Sequence, residues 1–289
     1  MTQLRTALTA ATGRLLAAGI DSSEHDARAL AVHVLGLTRP SDLLLVDSLD
    51  ATETAAYEDL VSRRAARVPL QHLTGSVGFR YIELEVGPGV FVPRPETESV
   101  VQWAVDACLS EGWSAPLLVD LCTGSGTIAF ALANEVPGAT VYAVERDADA
   151  LAWTHRNAEN RVKVGDPEVQ LHLGSVEHAL HGLDGTVDLV ACNPPYVATS
   201  EAHIPDPEVL DHDPGIALWA GDDGLDVIRL VEQAARRLLR PGGLFVVEHS
   251  DRQGESCPAL LTAAGGWEQV ADHRDLTGRD RYVTARWRG

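Results

Sequence analysis

Apolar residues recur every three or four positions over about the first seventy residues, which is the spacing of helices that bury one face. One such run opens with Ser23 and Asp26 and is followed by Gly36. A second run follows Asp50 and Glu53, whose spacing matches a capping box at the start of a helix. The pattern predicts a small helical bundle and carries no chemistry of its own.

From about residue 100, short continuous apolar runs alternate with helix-spaced segments. Such alternation is typical of an α/β fold with a parallel sheet, in which ligands bind at the carboxyl ends of the strands. We predict strands near 117–121, 140–145, 169–173, 187–192, 243–248 and 281–287, and helices that include 126–135, 147–160 and 224–240.

Between these two regions, strand-like residues such as Phe79, Ile82 and Val90 surround Gly87-Pro88-Gly89, which predicts a β-hairpin. We therefore expect three parts along the chain. They are a helical domain at 1–75, a hairpin linker at 76–92 and an α/β domain at 93–289.

The composition predicts an ordinary globular protein of the cytoplasm. Hydrophobic residues make up 45% of the 289, yet no apolar stretch reaches the roughly 18 to 20 residues that span a bilayer. The N-terminus lacks the apolar core of a secretion signal. The four cysteines are widely spaced without a CxxC pair, which favours reduced thiols over a zinc site or a disulfide framework. We expect no membrane association and no metal.

Acidic residues outnumber basic ones by 42 to 23, so the formal net charge is −19. A surface of that sign repels a phosphate backbone and makes nucleic acid a poor partner by default. A local basic patch could still bind it, and the candidates are Arg63, Arg64, Arg67, Arg80 and Arg94.

The sequence Asn193-Pro194-Pro195-Tyr196, called the acceptor turn below, follows the apolar run 187–192. Two prolines fix the backbone and remove two N–H donors, so the strand cannot continue. The turn thereby holds an amide side chain, prolyl carbonyls and an aromatic ring in one arrangement. Hydrogen-bond acceptors beside an aromatic plate suit a planar group that carries an NH2, such as a carboxamide or a base.

A glycine-rich loop indicates a cofactor that contains adenosine. Cys122-Thr123-Gly124-Ser125-Gly126 follows the strand 117–121 and precedes a helix, and glycines allow a backbone to approach a ligand closely. Glu145 ends the next strand, where its carboxylate can bind both hydroxyls of a ribose.

Two cofactor classes fit this loop. Gly124, Gly126 and Ala129 satisfy the dinucleotide fingerprint, which keeps an NAD-dependent oxidoreductase as an alternative. Asp120, however, would oppose a pyrophosphate and suit the positive amino group of S-adenosylmethionine. We therefore favour methyl transfer.

Several separated motifs resemble those of the release factor glutamine N5-methyltransferases, a class I S-adenosylmethionine-dependent family. The resemblance covers residues from about 60 to the end. It rests on the loop, Glu145, the acceptor turn and five further segments: 69–75 (PLQHLTG), 92–98 (VPRPETE), 221–225 (GDDGL), 247–249 (VEH) and 274–279 (RDLTGR). It implies a Rossmann-like α/β sheet preceded by a helical bundle domain that recognises the substrate.

The resemblance also implies the reaction, which is methylation of the glutamine amide in the Gly-Gly-Gln loop of bacterial class 1 release factors. Residues 122–126 would line S-adenosylmethionine, Glu145 would hold its ribose and Val176 would lie near the adenine. The glutamine would enter the acceptor turn, where we expect Asn193, Pro194 and Tyr196 to act in catalysis. Cys122 departs from the family, which often has glycine there, and a residue with a Cβ must accept a negative φ or strain.

The mechanism we expect is positioning. The Asn193 oxygen and the Pro194 carbonyl would accept the two amide protons, and Tyr196 would pack on the amide plane. Methylation of a ribosomal-protein glutamine and of N6-adenine in DNA stay open as alternatives, because both chemistries use this turn. Arg94 and Thr97 could close over the cofactor or form a salt bridge at the domain junction.

Overall fold

The structure is a computed structural model that describes residues 1–201, 203 and 207–289. It divides into two compact units, Met1–Ser76 with Asp206–His212, and Val77–Pro205 with Asp213–Gly289. Each unit has its own hydrophobic core. None of the helices within the described residues is long and apolar enough to cross a membrane.

The first unit is helical. Its helices are α1 (Leu4–Ala17), α2 (Ser23–Val34), α3 (Ala51–Ala65), α4 (Leu70–Thr74) and α8 (Pro207–His212), and its short strands β1 (Thr2–Gln3) and β2 (Ser48–Leu49) pair antiparallel.

The expected start of α3 is confirmed in detail. The Asp50 carboxylate accepts hydrogen bonds from the backbone N–H groups of Thr52 and Glu53, and the Glu53 carboxylate accepts one from the Asp50 N–H. This reciprocal pair satisfies donors that the first helical turn would otherwise leave without partners.

The second unit is a seven-stranded sheet with helices. Its strands are β5 (Leu117–Leu121), β6 (Thr140–Glu145), β7 (Gln170–Leu173), β8 (Val187–Cys192), β9 (Leu239–Glu248), β10 (Trp267–Arg274) and β11 (Asp280–Trp287). Its helices are α5 (Thr97–Ser110), α6 (Thr127–Glu135), α7 (Ala148–Lys163), α9 (Asp226–Leu238) and α10 (Ser256–Ala264). The predicted α/β fold class is confirmed.

The sheet has the strand order β10-β11-β9-β8-β5-β6-β7. Neighbours from β9 to β7 run parallel, whereas β11 pairs antiparallel with both β9 and β10. The prediction of a parallel sheet is therefore wrong for the edge that contains β10 and β11. Alternate residues of β5 enter different cores, with Leu118 in one cluster and Val119 in the other, because successive strand side chains point to opposite faces.

The hairpin exists, but its expected turn is wrong. Strands β3 (Ser76–Phe79) and β4 (Ile82–Glu85) form a two-stranded sheet joined by Arg80 and Tyr81. Gly87-Pro88-Gly89 lies after β4, where the Val90 N–H donates to the Gly87 carbonyl at 3.4 Å. A Cβ at Gly87 would stand 2.6 Å from the ring of Trp153, so packing rather than a hairpin requires this glycine.

Candidate active site

The two predicted ligand-binding segments lie side by side at one edge of the sheet. Leu121 at the end of β5 is the register partner of Cys192 at the end of β8. After β5 the chain continues to β6 on one side, whereas β8 is followed by β9 on the other. Such a switch point opens a crevice at the carboxyl ends of the strands. Residues 122–126 and the acceptor turn both begin there.

The Asp120 side chain, at the end of β5, forms hydrogen bonds with the 122–126 loop and with the start of α6. Its Oδ2 accepts hydrogen bonds from the Thr123 hydroxyl at 2.5 Å and from the Ala129 N–H at 3.1 Å. Its Oδ1 is buried and has no hydrogen-bond partner among the described residues. Burial, and less strongly the charge of Glu145, raise the pKa of Asp120 to about 7 against the opposing effect of its two hydrogen bonds.

The loop depends on backbone that turns into the left-handed region. Gly124 and Gly126 have φ of 58° and 90°, and a Cβ at Gly126 would collide with the Phe130 ring. Cys122 has a φ of 59°, so of the two outcomes expected for a non-glycine residue it adopts the strained one. Burial raises the pKa of the Cys192 thiol, and the nearby Cys122 adds to this effect. All four cysteines are free thiols.

Glu145 reaches the same loop from the end of β6. Its Oε2 accepts from the Gly124 N–H at 2.9 Å, and its Oε1 accepts from the N–H groups of Arg146 and Asp147 at 2.8 and 2.9 Å. A carboxylate has about four acceptor positions, so these three bonds leave capacity for a ligand hydroxyl. Val176, after β7, is buried in the same core cluster as Leu121.

Two residues that hold the loop escaped the sequence analysis. The Thr154 hydroxyl donates to the Gly124 carbonyl at 2.6 Å, and the Asn157 amide donates to the Ser125 carbonyl at 2.9 Å. Both side chains come from α7 and are at most 1% exposed. Two polar residues one helical turn apart could have suggested this role, but only their burial distinguishes them from surface residues.

The acceptor turn is tied to a buried carboxylate at the end of β9. The Asn193 amide nitrogen donates to the Thr97 hydroxyl at 3.1 Å, and that hydroxyl donates to Glu248 Oε2 at 2.7 Å. The Tyr196 hydroxyl donates to Glu248 Oε1 at 3.2 Å. Thr97 lies in the segment 92–98, where closure over the cofactor was one expected role, and Glu248 lies in the segment 247–249 without a role assigned from the sequence.

Two further polar residues of the segments 247–249 and 92–98 have structural partners. His249 is fully buried between Asp272, at 2.7 Å, and the Ser250 carbonyl, at 2.8 Å. Arg94 pairs with Asp213 at 2.7 Å. The described residues contain no group of three or more His, Cys, Asp or Glu side chains that could hold a metal ion.

All five arginines of the candidate basic patch form ion pairs. The pairs are Arg63 with Asp59, Arg64 with Asp26, Arg67 with Glu208, Arg80 with Glu135, and Arg94 with Asp213.

The chain is similar in sequence to proteins of known family. Residues 6–75 match the family model of the PrmC N-terminal domain, and residues 117–280 match a methyltransferase domain. The chain is 52% identical to the release factor glutamine methyltransferase of Streptomyces coelicolor, over 96% of this chain and 95% of that protein. The chain belongs to the release factor glutamine methyltransferase family.

Membership of this family decides between the two cofactor classes, because the matched domain is a methyltransferase rather than an oxidoreductase. The chain is also 41% identical, over 93% of its length and 90% of the relative, to a 4-amino-L-phenylalanine/4-methylamino-L-phenylalanine methyltransferase of Streptomyces pristinaespiralis. Sequence similarity at this level is therefore shared with a protein whose name gives a different methyl acceptor.

The fold matches that of a solved Thermus thermophilus 16S rRNA N2 G1207 methyltransferase in complex with AdoMet and guanosine. The TM-score is 0.54 at 22% identity, over 74% of this chain and 50% of that one. This likeness concerns the fold alone.

Proposed function

We propose that this protein methylates the N5 amide nitrogen of the glutamine in the Gly-Gly-Gln loop of bacterial class 1 release factors, with S-adenosylmethionine as the methyl donor. The observation that carries the proposal is the adjacency of residues 122–126 and the acceptor turn at the β5–β8 switch point. The name of the Streptomyces coelicolor relative supports the choice of substrate.

The residues at the end of β5 fit S-adenosylmethionine. Two carboxyl groups, those of Asp120 and Glu145, stand at this loop. Their negative charge, which Asp120 carries above its pKa of about 7, disfavours a pyrophosphate and suits the positive cofactor. The buried Asp120 Oδ1 and the remaining acceptor capacity of Glu145 are available for an amino group and a ribose, respectively. Bound S-adenosylmethionine supplies an electrophilic methyl group. We assign its binding to residues 122–126, with Asp120, Glu145, Val176 and Asn193.

The acceptor turn positions the glutamine. An amide nitrogen is a weak nucleophile because its lone pair is delocalised into the carbonyl. The Asn193 oxygen and the Pro194 carbonyl accept its two protons, which orients the nitrogen and favours the positive charge that develops on it. Pro195 keeps the turn rigid and Tyr196 packs on the amide. We assign catalysis to Asn193, Pro194 and Tyr196.

We propose that the helical region at 1–75 recognises the release factor and that residues 93–289 carry out the chemistry. Residues 76–92, which contain the hairpin, are proposed to link these two parts. The match of residues 6–75 to a separate family domain supports this division. Release factors act in the cytoplasm, and four free thiols suit that reducing compartment. We propose no direct contact with nucleic acid, since the candidate arginines are engaged in ion pairs.

The test is transfer of labelled methyl from S-adenosylmethionine to a purified, unmethylated release factor. A factor with its loop glutamine replaced by alanine serves as the matched control. Parallel reactions contain duplex DNA, a ribosomal-protein fraction and 4-amino-L-phenylalanine. We expect label on the unaltered release factor alone.

Label on any other substrate would contradict the proposed function or assign a different one. Label on the glutamine-free factor or on DNA would contradict the proposed acceptor. Label on the ribosomal fraction or on the aromatic amine, with none on the release factor, would move the assignment to those substrates.

A further inference from the structure

Glu248 connects the two side chains of the acceptor turn. It is 1% exposed, and each of its oxygens accepts one hydrogen bond, from Thr97 and from Tyr196. Thr97 is 2% exposed and bonds in turn to Asn193. These residues lie far apart in the sequence and meet only through the ends of β8, β9 and α5.

The proton positions in this chain of hydrogen bonds follow from the groups themselves. An ionised carboxylate only accepts, so the Thr97 hydroxyl must give its single proton to Glu248. The Thr97 oxygen can then only accept from its other neighbour. The atom of the Asn193 amide that faces Thr97 must therefore be the nitrogen, which leaves the amide oxygen on the opposite side.

We propose that Glu248 and Thr97 are positioning residues that fix the orientation of the Asn193 amide, so that its oxygen accepts a proton of the substrate nitrogen. This inference rests on the proposed function. Without these hydrogen bonds, the Asn193 amide could rotate about its Cβ–Cγ bond and present its NH2 group to the substrate NH2 group. Two donors cannot form a hydrogen bond with each other.

Protonation of Glu248 would remove the constraint. Burial raises the pKa of Glu248 to about 7, and the negative Glu96 adds to this effect, whereas the Thr97 and Tyr196 hydrogen bonds and the positive Arg281 oppose it. A protonated carboxyl can donate to Thr97, which can then donate onward to Asn193. The amide oxygen would then face Thr97 instead of the substrate.

The experiment measures kcat at saturating S-adenosylmethionine and release factor between pH 6 and 8.5, for four proteins. They are the wild type, Thr97→Val, Thr97→Ser and Thr284→Val. Valine keeps the shape of threonine and removes the hydroxyl, whereas serine keeps the hydroxyl. Thr284 is a buried threonine of β11 that bonds to His273 at 2.8 Å, so its valine variant controls for a lost core hydroxyl.

We expect wild-type kcat to fall as the pH drops through about 7, because Glu248 then takes up a proton. Thr97→Val should lower kcat about 10- to 100-fold, the loss expected for one misdirected hydrogen bond at a reacting atom. It should leave the KM for S-adenosylmethionine within about twofold and should abolish the pH step. Thr97→Ser and Thr284→Val should keep both kcat and the step.

Three outcomes would overturn the inference: wild-type kcat that does not change between pH 6 and 8.5, Thr97→Val with wild-type kcat, or Thr97→Ser as impaired as Thr97→Val. If Thr97→Val does not fold, Glu248→Gln still decides: its side chain cannot take up a proton, so it should show no pH step, and a step that persists near pH 7 in this variant would overturn the inference. An inactive wild type would instead refute the proposed function.

Discussion

At the scale of the residue, Cys122 shows how one backbone angle can constrain the 122–126 loop. Its φ of 59° lies in the left-handed region, which costs about 1–2 kcal/mol for a residue with a Cβ. Glycine occupies that region without such a cost.

We predict that Cys122→Gly is more stable than Cys122→Ala by about 1 kcal/mol, because both lose the thiol and only alanine keeps the Cβ. The measurement is the free energy of unfolding in urea. At a position with negative φ the order reverses, since glycine then costs about 0.4–1 kcal/mol relative to alanine. Alanine as the more stable variant would thus show that the left-handed angle is wrong.

Asn193 bears the second prediction at this scale. Asn193→Ala should lower kcat by at least about 100-fold, since it removes the acceptor that we propose acts on the reacting nitrogen. Affinity for S-adenosylmethionine should change little, because residues 122–126 and Glu145 remain. Calorimetric titration with the cofactor and a methyl-transfer assay measure the two effects separately, and normal turnover would refute the role of Asn193.

At the scale of the element, the ends of helices and strands carry the local information. The capping box of α3 could be predicted because all its groups lie within four consecutive residues. β10 was missed because most of its residues are polar and a register irregularity interrupts its alternation between Glu268 and Ala271. An edge strand with two register shifts, the second between His273 and Arg274, does not show the period that identifies a strand.

We predict that Asp50→Ala lowers the free energy of unfolding of the helical unit by about 1 kcal/mol, the usual loss for a helix cap. The control is Glu58→Ala on the same helix, which removes an exposed ion pair with Arg14 at 3.6 Å and should change stability by less than about 0.5 kcal/mol. Urea unfolding followed by circular dichroism measures both. Equal losses would mean that the cap does not stabilise α3.

At the scale of the whole molecule, two buried carboxylates make stability depend on pH in opposite ways. The pKa of Asp120 is raised to about 7 from 3.8, so between these values the folded state holds a proton that the unfolded state releases. Stability from this group therefore falls as the pH rises. Burial also acts on Asp275, but hydrogen bonds from Thr277, Arg279 and Arg281 outweigh it and lower its pKa to about 2. Stability from Asp275 is present above pH 3.8 and is lost as the pH falls towards 2.

We predict that Asp120→Asn gains stability relative to the wild type as the pH rises from 4 to 8. Asp275→Asn should be destabilised at pH 6, with the deficit shrinking between pH 4 and 2. Urea midpoints at a series of pH values test both variants. A constant difference between Asp120→Asn and the wild type would show that Asp120 is ionised throughout that range.

The amino-acid sequence is enough to predict the fold class, most of the central strands, the 122–126 loop and the acceptor turn. Buried parallel strands read as continuous apolar runs, and glycine and proline mark turns locally, so these features need no distant partner. The bounds 117–121, 140–145 and 187–192 are confirmed without change.

The contacts that hold the acceptor turn in place could not be predicted from the sequence and are seen only in the folded protein. Thr97 lies 96 residues from Asn193 and 151 from Glu248, and no periodicity links positions so far apart. The same holds for Thr154 and Asn157, which are polar helix residues until the sheet buries them against the loop. Local patterns report which backbone a segment adopts, whereas the orientation of an active-site side chain depends on hydrogen bonds that form only when distant elements pack together.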